Sequence, residues 1–289
     1  MPIDREKALA NKPRTGESYY GKDDVILYHL GLGAGVPATD AKELEYTYEK
    51  NLKVLPSFAV VAATRSVSSR SSGSMDFEGL EYNRALLLHG EEEILIHRPL
   101  PPESKLRTET NVLDVFDKGK AALLILETKA SDENGDPLYS VRMSLFLRGE
   151  GGFGGPEGPK PANVAPDRAP DGVIERTTLP QQALIYRLSG DKNPLHADPE
   201  FAAKAGFDRP IIHGLLSYGL CCKAIVDELL DGDVTKVAGY AARFAGVGFP
   251  GETYQISHWK EGDKILLAAH SKERDGAKII SNAAITLRS

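Results

Sequence analysis

The spacing of apolar positions changes along the chain. Over GLLSYGLCCKAIVDELLDG (214–232), residues Leu215, Leu216, Gly219, Cys222, Ile225, Val226, Leu229 and Leu230 recur near i, i+3, i+4 and i+7. That spacing predicts an amphipathic helix, with Gly232 as its C-terminal stop. Downstream the period shortens. KILLAAHS (264–271) and KIISNAAITLRS (278–289) are short strand-like runs, separated by ERDGAK, whose Asp-Gly suits a tight hairpin. In the first half DENGDP (132–137) stands in the hairpin position, and LPSFAVVAATRS (55–66) stands where the long helix does, with a weaker helical pattern.

The two halves also match in order. PLPPESKLRTET (99–110) and VGFPGETYQIS (247–257) each give a proline-led turn followed by a strand. A Lys-Gly turn, a β run, a charged hairpin tip and a final alternating strand follow in both. Duplication of one unit explains this, and the unit is α+β: an antiparallel sheet wrapped around a central helix, twice over. Between the halves GEGGFGGPEGPKPANVAPDRAPDG (149–172) is rich in Gly and Pro and reads as a connector. The expected organisation is a first unit over 1–150, a linker over 151–172 and a second unit over 173–289. TRSVSSRSSGSM (64–75) reads as a mobile surface loop without visible chemistry.

A length of 289 residues, 41% of them hydrophobic and 26% charged, suits two soluble domains with real cores. The net charge of −6 argues against a nucleic-acid surface. The only cysteines, Cys221 and Cys222, are adjacent, so a disulfide framework is not expected and a reducing compartment fits. No apolar run reaches the length of a membrane span. The N-terminus has no apolar signal core, and the C-terminal ITLRS is not a peroxisomal address. These readings set a cytoplasmic protein as the expectation.

Candidate chemistry concentrates in YRLSGDKNPLH (186–196). Gly190-Asp191 and Asn193-Pro194 signal a loop, Asp198 an N-cap and Pro199 a first helical residue. Each residue alone has a structural explanation: Asp191 and Asn193 as turn residues, His196 as a capping or core histidine, Tyr186 as core, and Gly214 as a close-packing glycine. Together they deliver a carboxylate, an amide and an imidazole. A helix N-terminus at His213-Gly214, with unpaired N–H groups, follows shortly after. That is the inventory for acid–base work beside an oxyanion site.

The stretch resembles the hydratase 2 motif of the MaoC-like, (R)-specific enoyl-CoA hydratases. The residues that carry the resemblance are Tyr186, Ser189, Gly190, Asp191, Asn193, Pro194, Leu195, His196 and Ala202, with PIIHGLLSYG downstream. VILYHLGLGAG (25–35), LPSF (55–58), HGEEEILIHRPLP (89–101), VLDVFDKGKAA (112–122) and GEGGFGG (149–155) resemble the N-terminal half of the two-domain, eukaryotic-type members. The resemblance implies a double hot dog. YHLGLGAG aligns with YRLSGDKN, so Gly31, Leu32 and Gly33 stand where the second half has Ser189, Gly190 and Asp191. The first half lacks the Asn-Pro-Leu-His run, and in the family such a degenerate unit makes room for a bulky acyl chain.

The implied reaction is hydration of a trans-2-enoyl-CoA to the (3R)-hydroxyacyl-CoA. Asp191 and His196 would orient the water and share the base and acid roles, and Asn193 would fix the water or the loop. The backbone N–H of Gly214 would meet the thioester oxygen. Tyr186, Ser189, Pro194, His213, Arg243 and Lys192 are expected to touch substrate. Arg209, Lys260 and Lys264 are further candidates for coenzyme A phosphates. No metal or redox cofactor is implied; coenzyme A is part of the substrate. A homodimer is the family expectation, with no nucleic-acid or membrane partner. A zinc site from His196, His213, His258 and the cysteines lacks standard ligand spacing. GLGAGVP has the wrong glycine spacing for a dinucleotide site. The rival readings are a 3-hydroxyacyl thioester dehydratase, a hot-dog thioesterase and a non-catalytic acyl-CoA binding module.

Overall fold

A computed structural model describes residues 3–63 and 77–288. The first half supplies strands β1 (Arg14–Tyr20), β2 (Leu87–Ile96), β3 (Ser104–Asp117), β4 (Ala121–Ser131) and β5 (Pro137–Arg148). The second supplies β6 (Gly172–Thr177), β7 (Val237–Phe244), β8 (Thr253–Glu261), β9 (Lys264–Ser271) and β10 (Ala277–Leu287). All lie in one 10-stranded sheet, in the order β1-β3-β4-β5-β2-β7-β10-β9-β8-β6. Every neighbouring pair is antiparallel. Read outward from the central β2–β7 pair, the two halves have the same strand order, as duplication requires. The seam runs from Glu91↔Arg243 to Leu95↔Gly239.

The hairpins turn where the sequence places them. Gly135 in the first half and Asp275 and Gly276 in the second have positive φ, which Gly and Asp tolerate best.

The helices are α1 (Arg5–Leu9), α2 (Lys22–Gly31), α3 (Ala41–Thr47), α4 (Ala59–Ala62), α5 (Gln182–Tyr186), α6 (Pro199–Lys204) and α7 (Gly214–Leu229). The long helix predicted for the second half is α7. It is more deeply embedded than a one-sided stripe implies, because every residue from Leu216 to Val226 is buried. Gly219 lets α2 approach: a Cβ there would stand 2.6 Å from the Tyr28 hydroxyl oxygen. Past α7, Gly232 at φ +72° returns its N–H to the Val226 carbonyl, 2.9 Å away.

The first half's counterpart, predicted over 55–66, is a 3₁₀ turn at Pro56–Phe58 followed by the short α4. Residues 64–66 and the rest of the segment read as a surface loop (64–75) lie outside the described residues. One apolar core runs through both halves, from Tyr20, Phe58 and Ile94 to Leu216, Ile256 and Ile285. A second cluster, of Ile3, Ala8, Phe77 and Leu80 over Leu124 and Leu145, adds to the core of the first half.

The Gly/Pro connector is pinned along its length. The Gly152 and Gly154 N–H groups donate to the Asp117 carboxylate at 2.9 and 2.8 Å, and hold it below the usual carboxylate range. Trp259 Nε1–H donates to the Arg168 carbonyl at 3.1 Å. Among the described residues no helix is long and apolar enough to cross a membrane.

Candidate active site

The loop that carries the candidate residues is built by its own side chains. α5 ends at Tyr186, a 3₁₀ turn covers Arg187–Ser189, and Gly190 takes φ +133°, a conformation that favours glycine. The Asp191 carboxylate accepts the Asn193 N–H at 3.0 Å. Asn193 Oδ1 in turn accepts the Leu195 N–H at 3.0 Å and caps the 3₁₀ turn Pro194–His196. Pro194 pre-sets the first position of that turn. The sequence Asp-x-Asn-Pro-Leu-His therefore folds itself so that an exposed carboxylate and a buried imidazole emerge together.

His196 is 8% exposed, and its Nδ1–H donates to the Ile211 carbonyl at 2.9 Å. That bond fixes the tautomer and leaves Nε2 as an acceptor. Burial is the largest influence on His196 and lowers its pKa, against the Ile211 bond and the Asp191 charge, so the ring is neutral near pH 7. Directly beside it lies His213, the N-cap residue of α7, with ring centroids 3.7 Å apart and an interplanar angle of 29°. His213 Nε2–H donates to the Asp191 carbonyl at 3.1 Å. Burial, then the neighbouring His196, pushes the His213 pKa down to about 4. Asp191, His196 and His213 each offer one ligand-type atom within 4.8 Å of the others.

Gly214 is the first residue of α7, and Ser217 is the first to return its N–H to the helix, to the His213 carbonyl at 3.2 Å. The N–H groups ahead of it project from the positive end of a 16-residue helix. A Cβ at Gly214 would stand 3.2 Å from the Phe244 ring. Tyr186 lies in the core behind His213, ring centroids 5.0 Å apart, and meets its first-half counterpart Tyr28 at 5.9 Å. Gly31 permits that crossing: a Cβ there would fall 2.9 Å from the Tyr186 Cα. Ser189 is buried and borders a narrow cleft with Tyr20, Asp24, Phe58, Val61 and Ala62 of the first half.

A family model described as the MFE-2 hydratase 2 N-terminal domain matches residues 18–149, and one described as a MaoC like domain matches residues 161–282. Enoyl-CoA hydratase ChsH3 of Mycobacterium tuberculosis is 47% identical over 281 residues, covering 97% of this chain and 98% of its own. The chain belongs to the MaoC-like enoyl-CoA hydratase 2 family. The peroxisomal enoyl-CoA hydratase 2 of Arabidopsis thaliana is 42% identical over 283 residues, with 92% and 90% of the two chains covered. A crystal structure of a MaoC-like dehydratase from Phytophthora capsici superposes at a TM-score of 0.88, with 36% identity and 98% of each chain covered. The double hot dog implied by the motif is thus the fold. Kinship selects no compartment, since one of these relatives is bacterial and another peroxisomal.

In this hydratase 2 fold the structure brings Asp191, Asn193, Pro194, His196, His213 and Gly214 together, with Tyr186 and Ser189 as their buried backing. Lys192 is exposed beside Asp191. Arg243 is not part of the cluster. It pairs with Glu91 at 2.7 Å, on the face of β7 opposite Ala242 and Phe244, because side chains alternate along a strand. Lys260 and Lys264 belong to the β8–β9 hairpin, and Lys264 Nζ donates to Asn163 of the connector at 3.4 Å. Arg209 is exposed, its guanidinium 4.9 Å from the Phe249 ring centroid. The zinc grouping drawn from the sequence does not form as such: His258 faces Gly172 on the sheet edge, and both cysteines are buried in α7. Two residues near the site were not singled out from the sequence. Arg187 Nη2 donates to the Lys192 carbonyl at 3.4 Å and straps the loop, and Phe244 covers Gly214. Arg187 lies inside the quoted motif; nothing local to Phe244 marks it.

Proposed function

We propose that the protein catalyses reversible syn hydration of trans-2-enoyl-CoA to (3R)-hydroxyacyl-CoA. One observation carries the reading: an exposed carboxylate and a tautomer-fixed, neutral imidazole lie within 4.8 Å of each other beside the free N-terminus of α7. A water held between Asp191 and His196 would attack C3. One of the pair would take the water's proton, and a proton would be returned to C2. The Gly214 N–H would donate to the thioester oxygen and stabilise the negative charge that grows on it. Asn193 holds the loop in register. Lys192 and Arg209 suit the coenzyme A phosphates. The first half would accommodate a medium, long or bulky acyl chain, as its likeness to the hydratase 2 N-terminal domain suggests.

In this proposal no metal or redox cofactor takes part, coenzyme A enters as substrate, the protein is cytoplasmic, and chains assemble as a homodimer. The dehydratase direction uses the same groups in reverse and is favoured by the kinship to the Phytophthora capsici protein. The test follows enoyl thioester absorbance for the wild type and Asp191→Asn, with CoA and carrier-protein substrates, with and without EDTA, and with chiral analysis of the product. Wild-type turnover unaffected by EDTA, with a loss of several orders of magnitude in the folded variant, supports the reading. No turnover of any enoyl thioester sinks it and leaves an acyl-CoA binding module.

A further inference from the structure

We propose that Glu92 and His89, both from the first half, form a positioning pair for the oxyanion side of the second half's site, an inference that rests on the hydratase reading above. HGEEEILIHRPLP marks the family resemblance but has no part in the chemistry described so far. A register shift between His89 and Glu91 inserts Gly90 as a bulge in β2. A Cβ at Gly90 would stand 2.8 Å from the Phe146 ring. The bulge leaves His89 and Glu92 on the same, inner face of the sheet, with Ile94 and Ile96.

Glu92 is 1% exposed, and His89 Nε2–H donates to its Oε2 at 2.8 Å. A carboxyl in the middle of an apolar seam is a costly placement that an apolar residue would avoid. Across the seam Glu92 sits opposite Ala242, and the next inner residue of β7 is Phe244. The His89 ring meets Phe244 edge-on, centroids 4.8 Å apart at 73°. Phe244 in turn presses on Gly214. Glu92, His89, Phe244 and Gly214 thus form a continuous chain from the first half to the first N–H of α7. Burial raises the Glu92 pKa, and its charge reaches the Tyr28, Tyr186 and Tyr218 phenols that face it from α2, α5 and α7. The Glu91–Arg243 pair lies on the opposite face.

The test measures kcat, KM and thermal midpoint on the full chain for Glu92→Leu, Glu92→Gln and His89→Gln. Glu92→Gln keeps an acceptor for His89 and should stay within about threefold of wild-type kcat. Glu92→Leu loses that acceptor, and His89→Gln loses the ring against Phe244. Each should lower kcat at least about tenfold with KM within about twofold, because the oxyanion contact strengthens only in the transition state. His89→Gln carries the test if Glu92→Leu does not fold. Unchanged kcat in a folded Glu92→Leu or His89→Gln overturns the proposal, as does a loss confined to KM. Absence of turnover in the wild type overturns the hydratase reading itself, and the pair's assigned role with it.

Discussion

His213 donates its Nε2–H to the backbone carbonyl of Asp191, 3.1 Å away, so the residue at the N-cap of α7 also ties down the loop that carries the proposed acid–base pair. The same ring stacks on His196 at 3.7 Å. One side chain therefore sets the spacing between the proposed water-binding groups and the proposed oxyanion N–H. His213→Ala removes both contacts while leaving Asp191 and His196 in the chain. It is expected to lower kcat by about 10- to 100-fold, the scale of a misplaced catalytic group. His213→Phe keeps the stacking ring but not the hydrogen bond and should fall between. Steady-state kinetics on both variants check this. Equal activity of His213→Ala and wild type would contradict it.

In the proposed mechanism the histidines also set the acid limit. His196 must be neutral to offer Nε2, and its pKa is lowered by burial, so kcat/KM should stay flat down through the ordinary histidine range and fall only below it. Stability has the same sign. His29 and His213 both sit at about 4 when folded, lowered chiefly by burial, against about 6.5 when unfolded. Between those values the unfolded chain binds more protons. The stabilisation is full above about pH 6.5 and is lost as pH falls towards 4, on the order of 3 kcal/mol for each group. Urea midpoints measured across pH 4–7 should fall with acidity. His29→Asn, which removes one of the two groups, should flatten part of that fall.

Gly214 offers a backbone test. A Cβ would enter at 3.2 Å from the Phe244 ring, so Gly214→Ala must shift either the ring or the start of α7. Loss of one oxyanion donor is worth about 3 kcal/mol, roughly 10²-fold in kcat. Gly214→Ala is therefore expected to lose up to that much. Phe244→Leu frees that space but also removes the ring that His89 meets, so it is the reference for the double variant: Gly214→Ala should cost less on the Phe244→Leu background than on the wild type. An equal cost on both backgrounds would mean that Phe244 is not what the Cβ meets.

Much of this architecture is legible in the sequence because it is local. The Asp-Gly tip before β10, the end of α7 at Gly232, and the self-folding Asp191-x-Asn193-Pro194 loop each depend on neighbours within a few residues. What the sequence hides is what meets across long separations. Nothing near β2 announces that it pairs with β7, yet that seam carries His89 to Phe244. The His196–His213 stack joins residues whose roles look independent in the chain. The apolar neighbours of Arg243 in the chain point to a coenzyme A contact, whereas strand alternation puts its side chain on the face of β7 opposite Phe244, paired with Glu91. The helical stripe of α7 assigns Lys223 to a polar face, and only α3, from the other half, makes it a buried residue.

That lysine gives the last prediction. Lys223 is 7% exposed and its Nζ lies 2.7 Å from both Glu43 Oε1 and Asp227 Oδ2. It also sits 4.7 Å from the Tyr46 ring centroid, and the Tyr46 hydroxyl donates to Asp227 Oδ1 at 2.8 Å. Lys223→Ala leaves two carboxylates half-buried without their cation, which costs about 3–5 kcal/mol for a buried pair. The thermal midpoint should fall by several degrees, since each kcal/mol is worth roughly 2–4 °C in a chain of this size. Neutralising the whole group, with Lys223→Met, Glu43→Gln and Asp227→Asn together, should recover much of the loss, because a buried ion set and an uncharged one of similar shape are close in energy. Lys223 lies more than two helical turns beyond Gly214, so both variants should retain wild-type kcat below their midpoints. A triple variant less stable than Lys223→Ala would show instead that the charges stabilise the packing of α3 on α7 in their own right.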